Sequence, residues 1–382
     1  MRANHDSPFL RDPDVRGRLR SVAAAAAAFP LLIVLPVLGI RLAGKPAGLY
    51  LEFPPTTQYV QHAAFSWAGF AVISAVILMM IVPIIARSRR NPLTAGKASR
   101  THQPFPWWGW LGVALGTAVW VLAWTRYEWM SACQPFTFSP LWLAYILVVN
   151  ALTFRQSGRC LLTHRPFYLL SLFPVSAAFW WFFEYLNRFV QNWYYEGVAS
   201  MTPLQYFAMA TLPFSTVLPA VTSTFELLET RLGASPEWLQ PAAGGRRAKV
   251  LAGAALASAC AGLVGIGTHP DLLFPLLWLA PLFVVASLQV LVTGHVPVFD
   301  GGPGKWLLIR NWALAALICG FFWEMWNDFS LAKWIYTVPY VNRFRIFEMP
   351  LLGYAGYLPF GLECAVVAGL VERLTGLRHE KG

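Results

Sequence analysis

Four glutamates stand inside long apolar stretches of this 382-residue chain: Glu184, Glu226, Glu324 and Glu363. A carboxylate in hydrocarbon is costly, about 2.5–3.5 kcal/mol for Asp at a helix centre on insertion scales. Residues of this kind do proton, ion or catalytic work, or they bond helices together. Asn187 and Asn327 each follow a glutamate, Glu184 and Glu324, by three residues. That spacing puts each amide on its glutamate's helix face. An aromatic element comes next in both places, Trp193-Tyr194-Tyr195 and Trp334-Ile335-Tyr336. A carboxyl enclosed by rings and shut away from water keeps its proton, the state a general acid needs. Aromatic faces also stabilise a carbocation. The expected catalytic groups are Glu324, Glu363 and Glu184, with Asn187 and Asn327 as orienting partners. Trp193, Tyr195, Trp334 and Tyr336 are expected to line a substrate cleft. A structural role, in which these acids only hold helices together, stays open at this point.

Other chemistries find less support. The seven histidines fall outside the middles of the apolar runs, and no HxxxH or ExxH pair occurs on a helix. Haem and di-iron sites are therefore not expected, and neither a metal nor another cofactor is assigned. Cys133, Cys160, Cys260, Cys319 and Cys364 show no CxxC spacing and read as small core residues. Gly301-Gly302-Pro303-Gly304 reads as a turn and not as a phosphate cradle. The net charge of +11 comes from short Lys and Arg clusters between apolar runs, a topology signal and not a nucleic-acid face.

The elements that must position these residues are transmembrane helices. The chain is 57% hydrophobic and only 12% charged, about half the charge of a soluble domain. Runs long enough to cross a bilayer fall near 21–43, 63–86, 107–125, 139–154, 167–187, 205–228, 249–267, 273–293, 307–327 and 349–372. If the N-terminus is cytoplasmic, alternation of sides puts 22 of the 29 basic residues on that side and 7 on the other. This asymmetry predicts ten spans with both termini in the cytoplasm, most naturally in the plasma (inner) membrane.

The last two-thirds of the chain reads as a duplication. Glu184 aligns with Glu324, Asn187 with Asn327, Pro213 with Pro350 and Glu226 with Glu363. Pro140-Leu141-Trp142-Leu143-Ala144 aligns with Leu276-Leu277-Trp278-Leu279-Ala280. The expected fold is all-α and polytopic, with two parallel four-helix repeats after two leading helices. Its parts are a tail and leading helices over 1–106, a first repeat over 107–230, a basic linker over 231–248, and a second repeat with the C-terminal tail over 249–382. An even number of spans in each repeat gives both the same orientation, related by an axis along the membrane normal.

The motif residues resemble the lycopene cyclase domain of the heterodimeric, membrane-integral type. The resemblance rests on Trp323-Glu324-Met325-Trp326-Asn327-Asp328, Trp334-Ile335-Tyr336, Leu351-Leu352-Gly353-Tyr354 and Leu358-Pro359-Phe360-Gly361-Leu362-Glu363. In that family paired acids follow the proline; here Glu363 stands alone, four residues after Pro359. The resemblance implies duplicated membrane units whose carboxylates protonate a polyene and close a ring without a metal. It points to a membrane-embedded cyclase or isomerase acting on an isoprenoid, carotenoid-like or other apolar lipid. Two alternatives remain beside it, a proton-coupled lipid or solute transporter and a non-catalytic membrane scaffold.

Overall fold

The computed structural model of the chain describes residues 13–90, 103–232, 245–294 and 305–375. The tails, residues 233–244 of the expected linker and the glycine-rich stretch 301–304 lie outside the described residues. The leading helices are α1 (Pro13–Leu42) and α3 (Trp67–Arg90), separated by the short α2 (Gly48–Leu51). Next come α4 (Trp107–Trp124), α5 (Phe138–Ser157), α6 (Leu161–His164) and α7 (Pro166–Val190). Strand β1 (Trp193–Glu196) leads to α8 (Pro203–Phe214) and α9 (Val217–Leu232). The remainder runs α10 (Arg246–Thr268), α11 (Pro270–Leu273), α12 (Leu276–Thr293), α13 (Lys305–Asp328) and β2 (Lys333–Tyr336). It ends with β3 (Arg345–Ile346), β4 (Met349–Pro350), a 3-10 turn (Leu351–Gly356) and α14 (Tyr357–Thr375).

Ten of the segments so formed are long and apolar enough to cross a bilayer. The fold is an all-α, polytopic membrane fold. Large apolar side chains point outward along the spans, such as Leu78, Met79 and Trp110, at 58%, 69% and 63% exposure. A soluble protein would bury that surface, whereas lipid accepts it. The sixth span is not continuous over 205–228 as expected. Pro213 lies in the last turn of α8, and the chain bends at Ser215-Thr216 before α9. The helices also reach into the expected linker, to Leu232 on one side and from Arg246 on the other.

Residues that the sequence aligns adopt the same local structure. Gly158 ends α5 and Gly294 ends α12, both left-handed, with φ of 73° and 75°. A residue with a Cβ resists that conformation, so glycine closes both helices. Glycines also set the closest helix approaches. Gly109, Gly112 and Gly116 of α4 lie against Ala151, Leu147 and Ala144 of α5. Gly39 of α1 and Gly267 of α10 meet backbone to backbone. Small residues allow such approaches in lipid, where association depends on packing contacts.

Contacts between the two aligned units are reciprocal. Trp142 of the first unit lies against Trp323 of the second, with centroids 4.9 Å apart. Their counterparts, Trp278 and Phe183, stack at 5.0 Å. Helix α9 packs on α13, and α14 packs on α7. The expectation from sequence contained no strands, yet the segments after α7 and α13 form an antiparallel ribbon, β1 on β2. In its register Trp193 faces Tyr336, Tyr195 faces Trp334, and Tyr194 faces Ile335. Tyr194 and Ile335 are each other's counterparts in the alignment, so the ribbon is self-complementary about its centre. The ladder continues with the Thr337 N–H donating to the Asn192 carbonyl at 2.8 Å.

The linking segments at this end of the bundle gather around the ribbon. His62, in the strap between α2 and α3, bonds Asp271 Oδ1 at 2.6 Å and the Gln191 carbonyl at 3.1 Å. The Ala63 N–H donates to Asp271 Oδ2 at 3.0 Å, and the Ser66 N–H to the Tyr340 carbonyl at 2.9 Å. The strap thereby ties the leading helices to both units.

Candidate functional site

The ribbon is held by the two asparagines. Asn187 donates from Nδ2 to the Trp193 carbonyl at 2.7 Å, while its Oδ1 accepts from the Asn192 N–H at 2.8 Å. Asn327 repeats this, donating to the Trp334 carbonyl at 2.8 Å and accepting from the Trp334 N–H at 2.9 Å. Each amide satisfies backbone groups just past its helix, groups that would be costly to bury unpaired. Both are fully buried and neither borders the cavity described next. They hold the backbone of the ribbon and make no hydrogen bond to Glu184 or Glu324, the acids that the sequence expects them to orient.

Beneath the ribbon lies a cavity of about 360 Å³. The aligned units supply matched walls: Phe138 and Phe274, Trp193 and Trp334, Tyr195 and Tyr336. The chamber is therefore shared by both units. Trp180, Trp278, Trp323, Tyr206 and Tyr357 add further rings, and Asn192 and Ser139 add polar atoms. Among the described residues no Asp, Glu, Lys, Arg or His borders it. The four ring residues expected from sequence all line the chamber.

Glu184 and Glu324 stand one layer behind the wall, reached through the hydroxyls of lining tyrosines. Glu184 Oε1 accepts from Tyr195 at 2.6 Å, from Trp180 Nε1 at 3.0 Å and from Trp193 Nε1 at 3.1 Å. Its Oε2 shares the Trp193 N–H at 3.4 Å. Every partner donates, which suits the acceptor-only oxygens of a carboxylate. Glu324 is built differently. Tyr357 and Tyr336 both donate to Oε1, at 2.6 and 2.8 Å, and Trp334 Nε1 supports the Tyr336 hydroxyl at 3.0 Å. Among the described residues Glu324 Oε2 has no hydrogen-bond partner. That free oxygen is the position a carboxylic acid's proton can occupy.

One exchange of side chains explains the asymmetry. Four residues before Glu184 stands Trp180; four before Glu324 stands Gly320. The alignment that pairs Glu226 with Glu363 pairs Tyr357 with Ala220, which is fully buried. In the first unit the ring beside the acid grows from the acid's own helix, and the position aligned with Tyr357 is the small Ala220. In the second it grows from the facing helix, and Gly320 makes room. A methyl group at Gly320 would run into the Tyr357 ring.

Glu363 stands apart from this pair. It lies twelve residues from either end of the span Leu351–Thr375, at its midpoint. The span continues to Thr375, beyond the expected end at 372. Glu363 is 3% exposed and lies outside the chamber wall, and no side chain among the described residues bonds its oxygens. Glu226 has a structural task, with its Oε2 accepting the Leu161 N–H at the start of α6 at 2.9 Å.

The tyrosines of the ribbon lie outside the spans. Burial, and then the neighbouring Glu184, pushes the Tyr195 phenol well above its ordinary 10.0. Burial and Glu324 do the same to Tyr336. Both stay protonated and able to donate across the physiological range. Among the described residues no three His, Cys, Asp or Glu side chains gather as a metal site would require.

Sequence reasoning missed Tyr357, Trp180, Trp278, Trp323 and Tyr206. Trp180 and Trp278 carried a usable signal, one by its spacing of four from Glu184 and the other by its alignment with Trp142. Tyr357 carried none, because its aligned partner is alanine. No family model, curated protein or solved structure matches the chain.

Proposed function

We propose that the chain is a membrane-embedded enzyme acting on an isoprenoid, carotenoid-like or other apolar lipid by proton-initiated cyclase or isomerase chemistry. One observation carries the reading: a buried acid with one oxygen bonded by two phenols and the other free, set behind an uncharged aromatic chamber. Glu324 acts through the lining phenols of Tyr336 and Tyr357: a phenol yields its proton to the π pair of a substrate double bond, which forms the new C–H bond, and takes a proton from Glu324 in its place. The cation left behind sits among the faces of Trp193, Trp278, Trp323 and Trp334, which attract positive charge. A neighbouring double bond closes a C–C bond onto it. Loss of a proton from the adjacent carbon back to a carboxylate completes an isomerisation that needs no co-reactant. Glu184, encircled by donors, holds negative charge opposite the cation. The resemblance to the lycopene cyclase domain supports the same chemistry, and the basic-residue asymmetry supports a plasma-membrane protein with cytoplasmic termini.

The test is Glu324→Gln, which keeps an acceptor for both phenols and removes the acid. Mass spectra of lipid extracts from cells with and without the protein should show a product that the variant lowers by about 10²–10⁴-fold. Membranes holding the protein, given unlabelled lipid extract in D2O, should add one deuterium to the product. A proton-coupled transporter would lose flux in the variant with the lipid profile unchanged, and that result would overturn the enzymatic reading.

A further inference from the structure

The chamber wall is assembled differently on one side, and that side shows where a ligand comes from. Helix α3 turns Ile73, Val76, Ile77 and Met80 toward the chamber. Helix α8 turns Tyr206, Met209, Ala210 and Pro213 toward it. Both sets have the i, i+3, i+4, i+7 spacing of a single helix face. The two helices flank the same space but share no packed interface. Helix α3 leans on α13 and the 3-10 turn, while α8 packs on α7 and α5.

Helix α3 is also the least embedded of the ten spans. No residue from Trp67 to Arg87 is fully buried. Val76 and Met80 border the chamber and yet remain 46% and 43% exposed. Along α3 the lining stripe begins about 9 Å from Trp67 and ends about 13 Å short of Arg89, at 1.5 Å per residue. Those two residues mark the interfaces, so the gap opens at hydrocarbon depth and not at either surface.

We infer that a portal between α3 and α8 loads the chamber sideways from the bilayer core, and that its occupant is an uncharged hydrocarbon chain. Among the described residues the wall carries no charged side chain, which fits that occupant and offers nothing to pair with a phosphate or carboxylate headgroup. Helix α3 belongs to neither aligned unit, so the portal is what the leading helices add to the shared chamber. The inference rests on the proposed function only in taking the chamber as the ligand site.

The test uses diphenylhexatriene, a neutral rod-shaped polyene, as the probe, with the protein in lipid nanodiscs. Energy transfer from the chamber tryptophans reports loading in stopped flow. In a background with the five cysteines replaced by alanine, Val76→Cys and Met209→Cys are bridged across the gap with a thiol-cleavable bismaleimide. Bridging should slow loading by about tenfold or more, as expected when access demands a structural change, and cleavage should restore it. Loading at the unbridged rate with the bridge formed overturns the portal alone. A full-length unmodified protein that never takes up the probe overturns the chamber as a ligand site, and the portal with it. Normal, bridge-sensitive loading without any altered lipid in cells leaves the portal standing and overturns only the catalytic reading.

Discussion

At the scale of single residues, the pair Gly320 and Tyr357 decides what the second acid can do. Tyr357 contributes a hydroxyl 2.6 Å from Glu324, and it fits because position 320 has no side chain. Gly320→Ala should therefore push the ring away from the acid. Overpacking of this kind costs about 1–3 kcal/mol. The expected result is a lower melting temperature in detergent and a loss of product close to that of Tyr357→Phe. Product formation at the unsubstituted level in Gly320→Ala would show that the Tyr357 contact is dispensable. The acids, their asparagines and the following aromatics were legible in the sequence, because duplication printed them twice at one offset. Tyr357 was illegible for the same reason: the units solve one packing problem from opposite helices, so alignment shows no pairing at that position. Glu363 was legible as a buried acid, but its distance from the chamber depended on helix packing that spacing does not encode.

At the scale of elements, hydropathy located the ten spans because lipid leaves little choice but helix for a crossing backbone. The ribbon escaped notice because each strand has four residues and its partner lies some 140 positions away. The β-prone Trp-Tyr-Tyr and Trp-Ile-Tyr runs were visible, but they read only as cavity lining. Helix packing makes a sharper demand. Gly39 and Gly267 bring the backbones of α1 and α10 together, with no room for a side chain at either position. Gly39→Val or Gly267→Val should loosen α1, seen as faster proteolysis of the α1–α3 strap in membranes and a lower melting temperature. An equivalent change at Gly253, where nothing lies within 4 Å, should have little effect on either.

At the scale of the whole molecule, the fold ties sidedness to the position of the site. The segments following α1, α4, α7, α10 and α13 all emerge at the end that carries the ribbon and strap. With the termini in the cytoplasm, as proposed from the basic-residue asymmetry, that end faces the outer surface. Cys133, exposed in the segment between α4 and α5, is the reporter. A membrane-impermeant maleimide added to intact cells should label Cys133, and labelling only after lysis would invert the topology. The chamber tyrosines add a pH dependence. Tyr195 and Tyr336 titrate above 10.0 in the folded protein and near that value when unfolded. As pH rises past about 10 the unfolded chain releases those protons first, so stability falls with further alkalinity. The melting temperature should hold steady below about pH 9 and decline above about pH 10, less steeply in Tyr195→Phe/Tyr336→Phe.

The register of the ribbon also bears on descent. When the middle residues of two paired strands are each other's counterparts, the same pairing can be made by two identical chains meeting face to face, the isologous contact of a C2 dimer. An ancestor half this length could have closed its chamber by self-association, with both acids alike. Fusion of two such copies would lift the requirement that they match. Trp180 and Tyr357 would then be free to diverge, leaving one acid ringed by donors and the other with an unbonded oxygen.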